Sequence, residues 1–130
     1  MAKHNDLGKA GEMVAKEFLE GKGFIVVDVN WSRPYGELDI IALDKGGAYR
    51  FVEVKTVSWE TPPTGVSHET PNPEENVHRE KAKRLMRTIQ AYLSYKNIEN
   101  DWQFDVIAVF LDQKNKKARV RYSEDIILGG

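Results

Sequence analysis

The stretch that most constrains the fold runs from Gly36 to Thr56. It reads Gly-Glu-Leu-Asp-Ile-Ile-Ala from Gly36, then Gly46-Gly47, then Phe-Val-Glu-Val-Lys-Thr from Phe51. Two runs of β-formers around a Gly-Gly signal predict a hairpin. Both runs carry charge where a strand interior is usually apolar: Asp39 in the first, Glu53 and Lys55 in the second. Side chains on a strand alternate between faces, so Glu53 and Lys55 share one face and Val52 and Val54 the other. The loop decides whether Asp39 joins them. A two-residue turn at Gly46-Gly47 would pair Lys45 with Ala48 and send Asp39 to the wrong face. A three-residue loop, Lys45-Gly46-Gly47, would pair Asp44 with Ala48 and Asp39 with Glu53, with Gly47 free to turn left-handed. The three-residue loop is the expectation. A bulge near Asp39 would also restore the face.

Two facing carboxylates repel unless positive charge lies between them. Lys55 supplies part of it. A divalent cation would supply more, and hard oxygen ligands suit Mg²⁺ or Mn²⁺. Asp39, Glu53 and Lys55 therefore form a candidate metal site.

The chain has 130 residues and no cysteine. That length predicts one domain spanning 1–130, large enough for a sizeable core. Without cysteine there is no disulfide, no thiolate chemistry and no cysteine-based zinc site. This fits a reducing, cytoplasmic setting. The polar N-terminus has no apolar h-region and so no sign of a signal peptide. No apolar run approaches the roughly 20 residues of a membrane helix, so no membrane role is expected. The net charge of -1 excludes a strong overall attraction for polyanions, and any such binding needs local asymmetry.

In chain order, Asn5–Gly23 reads as an amphipathic helix, with Leu7, Ala10, Val14 and Phe18 at helical spacing. Asn5 or Asp6 is the expected cap, and Gly21 and Gly23 mark the end. Glu12 has Gly8, Ala15 and Leu19 as helical neighbours, and by spacing alone reads as a surface glutamate at the edge of the stripe. Phe24–Trp31 predicts a strand and Ser32–Gly36 a turn. The Pro-rich stretch 58–72 predicts a long flexible loop, from which Trp59 and His68 could reach a substrate. Asn72-Pro73-Glu74-Glu75 predicts a helix start, with the helix running to Tyr95. Ala82, Leu85, Met86, Ile89, Tyr92 and Leu93 form its apolar stripe. Around that stripe stand Arg79, Lys81, Lys83, Arg84 and Arg87, with Glu80 the sole acid among them. Such a run is commonly a solvated face. Its single sign in a chain that is not basic makes it the candidate nucleic-acid-binding surface. Trp102–Leu111 predicts a buried central strand interrupted by Asp105, able to run parallel to an earlier strand through a crossover. Ala118–Tyr122 predicts a last, edge strand. The order αβββαββ predicts an α/β protein with a mixed sheet flanked by two helices.

This order, with Asp39 followed by Glu53-Val54-Lys55, resembles the PD-(D/E)XK nuclease superfamily, with Leu38-Asp39 in place of the leading Pro-Asp. Within it the chain is similar to the YraN-type family (UPF0102-like), of the Holliday-junction-resolvase-like branch. The text that carries the likeness is Gly8-x-x-Gly11-Glu12, Gly36-Glu37-Leu38-Asp39-Ile40-Ile41-Ala42, Phe51-Val52-Glu53-Val54-Lys55, Lys81-x-x-Arg84-Leu85, Tyr92-Leu93 and Phe104-Asp105-Val106-Ile107-Ala108-Val109. The resemblance implies a restriction-endonuclease-like αβββαβ core with an extra C-terminal strand. It implies a Mg²⁺- or Mn²⁺-dependent endonuclease acting on DNA, with branched or junction DNA as its substrate class. Asp39 would bridge the metal, with Glu53, the Val54 carbonyl and Glu12 as further ligands. Lys55 would orient the attacking water and stabilise developing charge. A homodimer is the further expectation. The competing readings are a nucleic-acid-binding protein of the same fold with little or no activity, and an interaction protein whose charges form a cross-strand ion-pair network.

Overall fold

The computed structural model describes residues 2–58 and 79–128, and in the first helix the side chains from Asp6 onward. Trp59, His68 and the expected helix start at Asn72-Pro73 lie outside the described residues.

The first helix, α1, spans Ala2–Gly21. It therefore begins before the expected cap, and Asn5 and Asp6 lie inside it. The far end matches its glycine signal. Gly23 takes φ +92°, Phe24 N–H donates to Leu19 O and Gly23 N–H to Glu20 O. This is a Schellman stop, with glycine at the left-handed position and Phe24 folded back onto the apolar face.

Five strands form one sheet in the order β1-β2-β3-β4-β5. They are β1 (Ile25–Arg33), β2 (Gly36–Leu43), β3 (Tyr49–Ser58), β4 (Trp102–Asp112) and β5 (Lys117–Ser123). The β1–β2 turn is tighter than expected: Arg33 already pairs with Gly36, leaving Pro34 and Tyr35 in the turn. The β2–β3 loop is the odd one. Leu43 pairs with Tyr49, Asp44 N–H donates to Ala48 O at 2.9 Å, and Gly47 takes φ +92°. The Asp44 carboxylate accepts from Gly46 N–H and Ala48 N–H and holds the loop shut. After helix α2 (Arg79–Tyr95), β4 runs parallel to β3, from Tyr49↔Trp102 to Ser58↔Leu111. It lies between β3 and β5 and is buried from Phe104 to Asp112. That near-continuous apolar run is what a strand covered on both faces requires.

Each helix covers one face. Ala15 and Leu19 of α1 pack on Ile40, Val52, Ile107 and Val109. Leu85, Ile89, Tyr92 and Leu93 of α2 pack on Leu38, Ile41, Phe51, Phe104 and Val106. The stripe differs from its prediction at one turn: Thr88 is fully buried, whereas Met86 is half-buried. Thr88 tolerates burial because its hydroxyl donates to Arg84 O at 2.7 Å.

Two glycines set how closely the layers approach. A Cβ at Gly11 would stand 1.9 Å from Thr56 Oγ1, so α1 rests directly on β3 there. A Cβ at Gly36 would stand 2.2 Å from Thr88 Oγ1, so β2 enters the sheet against α2. Gly8 meets nothing within 4 Å. Gly8→Ala should thus raise stability by up to about 1 kcal/mol, the helix-propensity gain. Gly11→Ala should lower it by about 1–3 kcal/mol through overpacking. Urea denaturation of the two variants measures the contrast.

Candidate active site

Asp39 sits where β2 leaves β3. The paired register runs from Leu43↔Tyr49 to Ile40↔Val52 and stops one pair short of Asp39 and Glu53. At the next step the Asp39 side chain takes the place of backbone: its Oδ2 accepts from Val54 N–H at 2.9 Å. The alternation of faces breaks at the same point. Ile40 packs on the α1 side and Leu38, two residues away, on the α2 side. Strict period-two geometry forbids that. On β1, Asn30 shows a matching irregularity, with φ +51° between Val29↔Ile40 and Trp31↔Leu38. The expectation that Asp39 simply faces Glu53 across the ladder is therefore corrected. The odd loop is present, but Asp39 turns into the plane of the sheet, because its carboxylate satisfies a β3 amide that β2 has abandoned.

This position exposes Asp39 to both faces. On the α2 side it lines a small gap with Glu37, Leu38, Phe51, Val52, Glu53 and Leu85. On the α1 side it lines a groove of about 310 Å³ with Lys9, Glu12, Met13, Lys16 and Val29. Glu12 thus shares a groove with Asp39 on the opposite side from Glu53, and Gly11 is what lets its helix come so close to β3. Within an extended strand, the N–H and C=O of one residue point to the same neighbour. The Val54 carbonyl therefore faces the side from which Asp39 approaches.

The two acids of the hairpin live in opposite electrostatic settings. Burial pushes the Asp39 carboxyl up to about 7; the Val54 amide opposes this, while the carboxylates of Glu53, Glu12 and Glu37 add to it. Burial also works to raise Glu53, which is 8% exposed. Yet Lys55 Nζ at 2.8 Å and Lys81 Nζ at 2.6 Å both lie on its Oε2 and hold it below the usual carboxylate range. Burial works to lower Lys55, but its bond to Glu53 outweighs this and raises it above the usual lysine value. Lys55 is thus a fixed cation, suited to stabilise negative charge and unsuited to act as a base.

The second helix brings its cations to the same end of the sheet. Lys81 is drawn onto Glu53 and so acts as a side-chain partner of the hairpin, a role that spacing did not reveal. Arg84 lines a cavity of about 330 Å³ with Tyr35, Gly36, Glu37, Glu53 and Lys81. Arg87 lies over the Tyr35 ring, 4.2 Å from its centroid. Arg79 and Lys83 are exposed. Among the described residues, no three carboxylate or imidazole groups close on a common point as a metal cage would require. Asp39 has Glu12 on one side and the Val54 carbonyl on the other, all hard oxygen donors of the kind Mg²⁺ and Mn²⁺ take. The carboxylates of Glu12, Glu37 and Glu53 act against ionisation of Asp39, and a bound cation would offset them. Lys55 and Lys81 both lie on Glu53 Oε2, so Glu53 could join such a set through Oε1.

Asp105, flagged in the sequence as a break in an apolar run, belongs elsewhere. It is fully buried and accepts from Arg50 at 3.1 Å, Gln103 at 2.9 Å, Asp125 N–H at 2.8 Å and the Tyr122 hydroxyl. Arg50 also reaches Asp44 and Glu124. This network joins β3, β4, β5 and the β2–β3 loop, and is structural.

The fold and site together define an α/β protein with a mixed five-strand sheet between two helices, consistent with a restriction-endonuclease-like core. Its polar centre lies where the second and third strands part. Residues 11–109 match the profile of the Uncharacterised protein family UPF0102. A UPF0102 protein of Flavobacterium psychrophilum is 35% identical over 96% of both chains. One of Bacteroides thetaiotaomicron is 38% identical over 88% of each. Another, of Chlorobium phaeobacteroides, is 42% identical over 81% of this chain and 77% of its own. The chain belongs to the UPF0102 family.

The raised Asp39 carboxyl has a signed consequence. The unfolded chain loses this proton near 3.8, whereas the folded protein keeps it to about 7, so Asp39 costs stability increasingly as pH rises between those values. Asp39→Asn keeps an oxygen for Val54 N–H and removes the charge. Its Tm should exceed that of the parent by a few degrees at pH 8, and the gain should fade towards pH 4. Thermal melts across that range measure it.

Proposed function

We propose that this protein is a divalent-metal-dependent endonuclease that hydrolyses phosphodiester bonds in DNA, with branched or junction DNA as its substrate class. The observation that carries the reading is the charge pattern at the strand divergence. A carboxylate crowded by other acids, Asp39, stands beside a carboxylate locked to two lysines, Glu53. An acid-rich pocket next to fixed cations is what metal-assisted attack on a phosphodiester needs.

Asp39, the Val54 carbonyl and Glu12 are the groups that would hold Mg²⁺ or Mn²⁺, with Glu53 joining through the oxygen that its lysines leave open. When bound, the cation would supply a water of lowered pKa and neutralise charge on the attacked phosphate. The protein's own groups do the rest. Lys55, kept charged by Glu53, stabilises the negative charge that builds on the phosphoryl oxygens. Lys81, Arg84 and Arg87, with Arg79 and Lys83 beyond them, hold the flanking phosphates. The half-buried setting of Asp39 strengthens each of these interactions by limiting access of water.

A second reading, a nucleic-acid-binding protein of the same fold with little activity, draws support from one feature. Glu53 is already neutralised by Lys55 and Lys81, and a silent core could retain that balance for stability alone.

Mn²⁺ titration of the parent and of Asp39→Asn, with cleavage of a branched DNA panel followed in parallel, separates the readings. On the nuclease reading the parent binds Mn²⁺, the variant binds at least tenfold more weakly, and cleavage of some panel member vanishes in both Asp39→Asn and Lys55→Met. Metal binding without cleavage would favour the second reading. Equal binding by parent and Asp39→Asn would sink the metal site.

A further inference from the structure

Beyond the acidic centre, arginines and aromatic rings alternate along one side of the molecule. Arg87 covers Tyr35 in the β1–β2 turn. Further along, Arg33 lies 3.9 Å from the Trp31 ring centroid and 5.3 Å from that of Tyr95. Trp31 and Tyr95 stand 6.2 Å apart at a tilt of 44°, and Tyr95 is 66% exposed. These groups belong to the end of β1 with its turn into β2, and to α2, which meet where Gly36 packs against Thr88. Lys81, Arg84, Arg87 and Tyr95 recur at helical spacing along one side of α2. At 1.5 Å per residue, Lys81 to Tyr95 spans about 21 Å.

A large, exposed tyrosine at the end of a packed helix adds little to the core. Nor does stability require every ring of the group to be covered by a guanidinium. The arrangement does suit a nucleic-acid strand, because arginine can bind phosphate and also stack on a ring, while an aromatic face accepts any base. Duplex DNA keeps its base faces stacked inward and could use only the arginines. The acids near this track, Glu37 and Glu53, line the cavity at its hairpin end. At the far end Asp28 is occupied, accepting from the Tyr92 hydroxyl at 2.7 Å and pairing with Lys96, which lies 5.8 Å from the Tyr95 ring centroid. Between these ends the named groups are cationic and aromatic, in a chain whose net charge is -1.

We infer that this side of the protein is a single-strand binding track. Phosphates run along Arg84, Arg87 and Arg33, and bases stack on Tyr35 and on the Trp31–Tyr95 pair. The track leads an unpaired strand away from the Lys55–Glu53 centre. It rests on the proposed function only in taking nucleic acid as the ligand. On that basis the preferred substrate carries an unpaired arm next to the point of cleavage.

The test is made in EDTA, so that neither metal binding nor cleavage enters. Fluorescence anisotropy compares a labelled single-stranded 12-mer of mixed sequence, long enough to cover the track, with the same 12-mer in duplex form. The full chain should bind the single strand at least tenfold more tightly. Tyr35→Ala and Tyr95→Ala should each weaken single-strand binding roughly tenfold, the typical loss for one stacked base, and leave duplex binding nearly unchanged. Tyr35→Phe should bind as the parent does, because only the ring is used; this separates lost stacking from lost folding. Lys114→Ala, in the exposed β4–β5 turn, should have no effect. Duplex binding as tight as single-strand binding, or unchanged single-strand binding in both tyrosine variants, would overturn the track while leaving the metal reading intact. Failure of Mn²⁺ binding with a preserved single-strand preference would do the reverse.

Discussion

The arrangement of the site depends on one hydrogen bond, from Val54 N–H to the carboxylate of Asp39. A strand amide left unpaired inside a protein is costly, and strands normally avoid this by continuing the ladder. Here a side chain from β2 supplies the acceptor, so the β2 backbone can turn away at Ile40. That divergence opens the space in which the acids meet and frees one side of Val54. It also lets Leu38 swing to the α2 side, where it helps anchor the base of the gap. Had β2 stayed in register for two more residues, the sheet would have closed over this point.

From this divergence follows the electrical asymmetry of the centre. Asp39 is crowded by acids and keeps its proton to about 7, while Glu53 sits under two ammonium groups and stays ionised. The two carboxylates are neighbours in space but not in state. Desolvation raises both, and the two lysines on Glu53 reverse it there, whereas nearby acids add to it at Asp39. Glu53 points to the side where Lys55 and α2 lie, whereas Asp39 lies between faces and, among the described residues, makes no ion pair. Such separation of environments is how one pair of like residues comes to do two different tasks.

Much of the hairpin is legible in the sequence. Parity favoured the three-residue loop on the premise that Asp39 faces Glu53, and Gly47 offered the left-handed residue that this loop needs; the loop is present although the premise is not met. The parallel return of β4 and its burial also follow from an apolar run after a helix. Three things were not legible. The break in alternation at Asp39 depends on a side chain displacing backbone, and no period in the sequence marks it. Lys81 read as one more phosphate-binding cation of the second helix, because its partner lies across the fold. Gly11 and Gly36 could be read as text but not as contacts, since the atoms they make room for, on Thr56 and Thr88, belong to distant segments. Asp105 did carry a visible signal. A charge inside a buried strand must find partners, and Arg50 and Tyr122 are those partners, though nothing local names them.

The two lysines on Glu53 also imply an order of assembly. Lys55 is two residues from Glu53, but Lys81 is 28 residues away and arrives only when α2 docks. The hairpin is a short-range structure and can close early, whereas docking α2 closes a long loop and comes later. Until then Glu53 lacks the second of its two ammonium partners. The nascent hairpin therefore carries a surplus of negative charge that ionic strength can screen. Docking of α2 then completes the second hydrophobic layer and relieves that surplus in one event. Charge neutralisation and core formation are thereby tied to the same folding step.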